Sequence, residues 1–284
     1  MDETRPGDRV LRAMTDDGAF RVVTARTTDT VAAVLEAQGT SGRTGQLLGE
    51  LVTGAILVRE TMAPNHRVQG LLHGADERGR LVADVHPDGG SRGLCSADTA
   101  ELQLEGGSLE MMRTLYTGEL HRGVVAVPRG GGISEALMTY MASSEQVASV
   151  IAVACVLESG RVIAAGGYVV QLLPEVGRAP LTIMTERLRD FQRIDELVAR
   201  LDAQPEPLLD ELLYGMDFTR LDDSPLCFKC RCSAMRVMAA LTSLGREQIQ
   251  ELIDEHRVIE MDCEYCGTQY AVPPAQLQGL LDAS

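Results

Sequence analysis

The chain has 284 residues, enough for one good-sized domain and a smaller one, and 45% of them are apolar, as in a globular protein with a full core. Its formal charge of −15 argues against a nucleic-acid partner, because phosphate binding needs a basic face. The polar, acidic start lacks the apolar core of a signal peptide, and the most apolar run, Val147 to Leu157, is too short for a bilayer. A cytoplasmic protein without a membrane partner is therefore expected.

Ala19 to Thr27 alternates and is β-branched, which predicts a strand. Asp29 is an N-cap candidate for a helix that stops at Gly39. Gly45 to Met62 predicts a longer helix burying Leu47, Leu48, Leu51, Ala55, Ile56 and Val58, and Pro64 ends it. Strands at Val68 to Leu72 and Leu81 to Val85 flank a turn at Asp76 to Gly79, and a helix is predicted around Ser134 to Ser143. Val147 to Leu157 and Val162 to Leu173 read as a hairpin about Glu158 to Arg161, and their unbroken apolar character implies burial on both faces. Residues 1–184 thus read as one α+β domain.

From Thr185 the density of charge rises. Glu186 to Leu201 predicts an amphipathic helix with the stripe Leu188, Phe191, Ile194, Leu197, Val198 and Leu201. Gln204 to Pro207 breaks it, and Leu208 to Leu213 forms a second, shorter helix. Residues 185–222 carry too few apolar side chains to fold alone. They must lie against a neighbour, which is the profile of a conditional helical linker.

Residues 223–284 read as a small zinc-binding domain. They hold five of the seven cysteines: Cys227, Cys230, Cys232, Cys263 and Cys266. Two close cysteine pairs with a helix-sized spacer can close a tetrahedron of sulfurs around one Zn²⁺. In a reducing compartment such cysteines are available to metal and do not stand as disulfides. Cys230, Cys263 and Cys266 belong to either scheme, whereas Cys227 and Cys232 compete for the fourth place. Spacing alone slightly favours Cys227 with Cys230, because C-x-C is the rarer knuckle. Ser233 can cap a helix through Leu244, and Arg246 to His256 predicts another. With few large apolar residues, the module should draw most of its stability from metal.

Other chemistry is poorly supported. The histidines, His66, His73, His86, His121 and His256, show no ligand spacing. Cys95 and Cys155 lie in no nucleophile motif, and Cys155, inside an apolar strand, reads as a buried inert thiol. Pro128 to Gly132 lacks the Lys-Ser/Thr of a phosphate loop. No acid–base pair or hydrolase elbow is evident, so no enzymatic activity is expected.

Four stretches carry a family resemblance: Tyr140-Met-Ala-Ser-Ser-Glu-Gln146, Ala165-Gly-Gly-Tyr-Val-Val-Gln-Leu-Leu-Pro174, Cys230-Arg-Cys-Ser233 and Cys263-Glu-Tyr-Cys266. With these in register the chain resembles, from Arg9 to its end, the 33 kDa chaperonins, the redox-regulated heat-shock holdases of bacteria. The resemblance implies an ATP-independent chaperone for unfolded or partly folded clients, held inactive by zinc on Cys230, Cys232, Cys263 and Cys266. It prefers Cys232 to Cys227, leaving Cys227 as a spare ligand or disulfide partner. It also implies Cys230–Cys232 and Cys263–Cys266 disulfides on oxidation, and a homodimer on activation.

Loss of the metal would unfold the module and, with it, the linker. Newly exposed Leu188, Phe191, Ile194, Leu208 and Leu212 would then bind clients. The run Ser233-Ala-Met-Arg236 departs from the charged run usual in the family. The alternative reading is a constitutive chaperone, or an interaction module whose zinc is purely structural.

Overall fold

The computed structural model describes residues 7–75, 79–96, 102–115, 117–174, 178–191 and 193–282. It divides into two units, Met1–Lys229 and Cys230–Ser284. In the first, β1 (Arg9–Thr15) and β2 (Phe20–Arg26) pair antiparallel, and α1 (Thr28–Gln38) and α2 (Gly42–Glu60) follow. β3 (Arg67–His73), β4 (Arg80–Val85), β5 (Gly90–Cys95), β6 (Ser108–Thr114) and β7 (Leu120–Ala126) then build a sheet in the order β5-β4-β3-β6-β7.

After α3 (Ile133–Ser143), the hairpin of β8 (Ser149–Glu158) and β9 (Arg161–Leu172) joins β2. Three helices follow: α4 (Arg178–Asp190), α5 (Ile194–Arg200) and α6 (Pro205–Leu212). β10 (Phe218–Pro225) then returns to pair with β1, and β11 (Cys227–Phe228) lies parallel to β5. The first sheet therefore runs β10-β1-β2-β9-β8.

α2 is the keystone of this unit. It packs against strands of both sheets, so Leu47, Leu48, Leu51, Val52, Ile56 and Leu57 are all fully buried, and the helix has no solvent-facing stripe along most of its length. Two glycines permit the close approach. A Cβ on Gly49 would stand 2.5 Å from the Cys155 sulfur, and one on Gly54 would stand 2.4 Å from Leu137 Cδ1. Buried charges are neutralised locally. Asp84, on β4 and fully buried, accepts from Arg67 Nε at 2.6 Å and Arg92 Nε at 2.9 Å. The edge strand β8 has one amide covered from the side, since Val153 N–H donates to Ser134 Oγ at 3.1 Å.

The outer face of the first sheet is covered by α4, α5 and α6. Leu208, Leu209, Leu212 and Leu213 pack with Phe20, Val22, Tyr168 and Val170 in one apolar cluster. Phe191 stands edge-on to Tyr168, with ring centroids 6.4 Å apart. At the rim, Arg9 grips Glu206 through two bonds of 2.7 and 2.8 Å. With helices on both faces, Ala164 to Gln171 of β9 is buried throughout, as the apolar run implied, but Ile163 is exposed and Val150, Ala152, Val156 and Leu157 of the edge strand β8 are only partly buried.

The predicted single helix over Glu186 to Leu201 is two helices. α4 is followed by a bond from Phe191 N–H back three residues to the Leu188 carbonyl, at 3.3 Å, and α5 begins after Arg193. Across the break, Phe191 and Leu197 still join one apolar cluster with Phe20 and Tyr168 of the sheet. The strands β3 and β4 pair as expected, with Leu72 opposite Leu81, but residues 76–78 of the intervening turn lie outside the described residues.

The second unit contains α7 (Ala234–Leu241), α8 (Arg246–Asp254), the ribbon of β12 (Ile259–Asp262) with β13 (Gln269–Val272), and α9 (Pro274–Asp282). Ser233 caps α7 by accepting from Arg236 N–H at 3.3 Å. The core is small: Leu241, Ile249, Val272, Leu277 and Leu281 are its buried side chains.

Candidate metal centre

Two chain turns present the sulfurs. Cys230 and Cys232 flank Arg231 just before the cap of α7. Cys263 and Cys266 occupy the tight turn that closes the β12–β13 ribbon. There Cys266 N–H and Gly267 N–H both donate to the Cys263 carbonyl, at 3.2 and 2.7 Å, and Cys263 N–H donates to Thr268 O at 2.9 Å. Gly267 adopts φ +67, a left-handed conformation that favours glycine. The ribbon thus fixes one knuckle, and the cap of α7 fixes the other.

All four sulfurs lie within 4.8 Å of one another. Cys230 and Cys263 are 3.6 Å apart and Cys232 and Cys266 are 3.4 Å apart. A tetrahedron of thiolates with metal–sulfur bonds of ~2.3 Å has edges of about 3.8 Å. The donor set therefore fits a tetrahedral, thiophilic ion. Among the described residues, Cys227 is not part of this group; it lies exposed on β11, its N–H bonded to Gly89 O.

The crowding divides the protons unevenly. Burial, with thiol bonds to Cys230 and Cys266, pushes Cys263 up to about 12. At Cys266 burial acts in the same direction. It is outweighed by hydrogen bonds from Thr268 and the neighbouring thiols, which bring this thiol down to about 6. Such a cluster holds shared protons that a dication would displace. Two further side chains touch the sulfurs: Thr268 Oγ lies 3.1 Å from Cys266, and the Tyr270 hydroxyl is bonded to Cys232. That bond pushes Tyr270 up to about 12. Neither residue is singled out by cysteine spacing. The only sequence signal is their position two and four residues beyond Cys266, at the start of a strand.

Of the apolar residues named from periodicity, Leu208 and Leu212 are fully buried on the first sheet, and Leu188, Phe191 and Ile194 are partly buried beside them. They form one cluster in the first unit. Cys155 is buried, and its thiol is pushed up to about 12 by burial, with Glu50 adding to the effect. Such a thiol is not poised as a nucleophile. Among the described residues no helix is long and apolar enough to cross a membrane.

A two-unit α+β architecture ending in four cysteines placed to hold a metal ion defines the class. The family model described as Hsp33 protein matches residues 8–273, and the chain belongs to that family. It is 30% identical to the 33 kDa chaperonin of Syntrophotalea carbinolica, covering 96% of this chain and 99% of that one. It is 28% identical to the 33 kDa chaperonin of Bacillus subtilis, over 97% and 98% of the two chains. The crystal structure of the 33 kDa chaperonin (heat shock protein 33 homolog) from Thermotoga maritima shares the fold. The TM-score is 0.82 at 21% identity, with 98% of this chain and 99% of that one covered.

Proposed function

We propose that this chain is an ATP-independent chaperone of the cytoplasm, a holdase for unfolded or partly folded proteins, switched on by oxidation of its four-cysteine centre. The observation that carries the reading is the cluster of Cys230, Cys232, Cys263 and Cys266 within 4.8 Å in a chain of the Hsp33 family. No enzymatic step is assigned to it. Zinc is the ion best suited to four thiolates at these separations, and it would supply a cross-link between the two knuckles.

Thiolates are also what oxidants attack. Oxidation by peroxide or hypochlorite joins Cys230 to Cys232 and Cys263 to Cys266: each S–S bond formed passes two electrons to one oxidant molecule, which is reduced to water or chloride, and no thiolates are left to hold an ion. The small core around Leu241 and Leu277 then loses its main support, since structural zinc contributes of order 10 kcal/mol to such a module. Release of α4 to α6 would expose Leu188, Phe191, Ile194, Leu208 and Leu212 to clients.

The test is light scattering from a heat-denatured client, with zinc-loaded reduced protein compared with protein treated with peroxide or hypochlorite. Suppression only after oxidation, with zinc released in parallel, is expected. Equal suppression in both states would indicate a constitutive chaperone. No suppression in either would leave an interaction module with structural zinc.

A further inference from the structure

The turn joining α5 to α6 is unusual in its backbone. α5 ends in a Schellman arrangement: Ala203 N–H donates to the Val198 carbonyl at 2.8 Å, and Asp202 N–H to that of Ala199 at 3.2 Å. One left-handed residue suffices for this ending, and Asp202 supplies it with φ +51. A second follows directly, because Ala203 has φ +54. Residues with a Cβ seldom adopt that conformation, and they hold it only where the surroundings over-determine it.

The surroundings here are a filled seat. Ala203 is 1% exposed and clusters with Ala154 of β8, Ala164 of β9 and Val198. A Cβ placed on Gly166 would come within 3.2 Å of the Ala203 methyl, so the absence of a side chain at Gly166 is what leaves room for that methyl. Two residues on, the Pro205 carbonyl accepts a bond of 2.9 Å from the hydroxyl of Thr24, itself fully buried on β2. A buried hydroxyl on a strand whose other inward neighbours are Phe20 and Val22 is costly unless paired, and this bond pairs it.

We propose that the Asp202–Pro205 turn is the latch that keeps the linker helices on the sheet, through the seated Ala203 methyl and the Thr24–Pro205 bond. The proposal rests on the reading above, in which linker release activates the chaperone, and it assigns the hold on the linker to a site within the first unit, outside the four-cysteine module. α5 and α6, of seven and eight residues, are too short to persist in water once undocked, so opening the turn between them weakens the hold on both.

Two variants of the full-length, reduced, zinc-loaded protein test it. Ala203→Val forces two further methyls and a β-branched side chain into a full seat at positive φ. Thr24→Val keeps the side-chain volume and a good strand former, and removes only the hydroxyl. Trypsin cleavage at Arg193 and Arg200 should quicken about ten-fold or more in the first and about five-fold in the second, with zinc content unchanged.

Wild-type cleavage rates in both variants would overturn the latch. So would an equal rise in cleavage within β1 to β9, which would make the turn part of general stability. Faster linker cleavage without any gain in aggregation suppression would uphold the latch and remove the chaperone role of the freed linker.

Discussion

The double variant Leu208→Ala with Leu212→Ala separates the release of the linker from the chemistry of the cysteines. Both side chains are essentially fully buried, at 1% and 0% exposure, against Phe20, Val22 and Tyr168. Truncating one such leucine costs about 2–5 kcal/mol, and two neighbours one helical turn apart about 4–8 kcal/mol, allowing for their shared cavity. A local segment opens at less than the global stability of about 5–15 kcal/mol, so a loss of this size consumes most of what docks α6. Even the lower figure shifts the opening equilibrium by roughly three decades.

The reduced, metal-loaded variant should therefore suppress client aggregation without oxidant through Leu188, Phe191 and Ile194, which it keeps, though more weakly than the oxidised wild type because Leu208 and Leu212 are gone from the client-binding face. Hydrogen exchange of residues 194–213 should accelerate while the exchange of β2 and β9 stays slow. The reasoning fails if the segment exchanges freely and clients still aggregate at the wild-type rate, or if exchange of the segment is unchanged.

Three other outcomes are expected. Chelation of metal from the reduced protein should melt Cys230–Ser284 and loosen α4 to α6 while β1 to β9 keep their thermal transition, read by tryptic mapping alongside calorimetry. Tyr270→Phe, which removes the hydroxyl bonded to Cys232, should weaken metal retention about ten-fold in a competition with a chromophoric chelator, with the fold preserved.

The third outcome concerns Asp84. Burial by itself raises its carboxyl, but His86, Arg67 and Arg92 outweigh this and hold it well below the usual range. A depressed carboxylate contributes stability that is fully present above the unfolded value of about 3.9 and is lost as pH falls through the folded one. Asp84→Asn should cost about 3–5 kcal/mol at neutral pH and flatten the acid limb of the stability curve below about pH 4, measured by urea titration across pH.

Several elements were legible because their chemistry is local. The cysteines clustered at 227–232, answered by Cys263 with Cys266, mark a candidate metal centre through spacing, and the sulfurs of Cys230, Cys232, Cys263 and Cys266 are the four that converge. Choosing between Cys227 and Cys232 needed the family resemblance, because a knuckle's spacing does not say which of two adjacent sulfurs faces inward. The β8–β9 hairpin and the Ser233 cap were equally readable, since turn and cap are written within a few residues. β1, β10 and the β5–β7 strands were not picked out. β10 is exposed and acidic along Leu221 to Asp223, so it lacks the alternation that marks a strand, and its partner lies some two hundred residues away.

By itself, then, the sequence determined the periodic helices, the hairpin, the excess of negative charge and two cysteine knuckles, the first with Cys227 and Cys232 competing. The helices, the hairpin and each knuckle depend on near neighbours in the chain. The tertiary structure decided that α2 would be enclosed by two sheets, that one charged stripe would break into α4 and α5, and that Thr24 and Ala203 would meet the turn before α6. Those features depend on surfaces that become complementary only when segments distant in sequence are brought together, and no local pattern records which surfaces will meet.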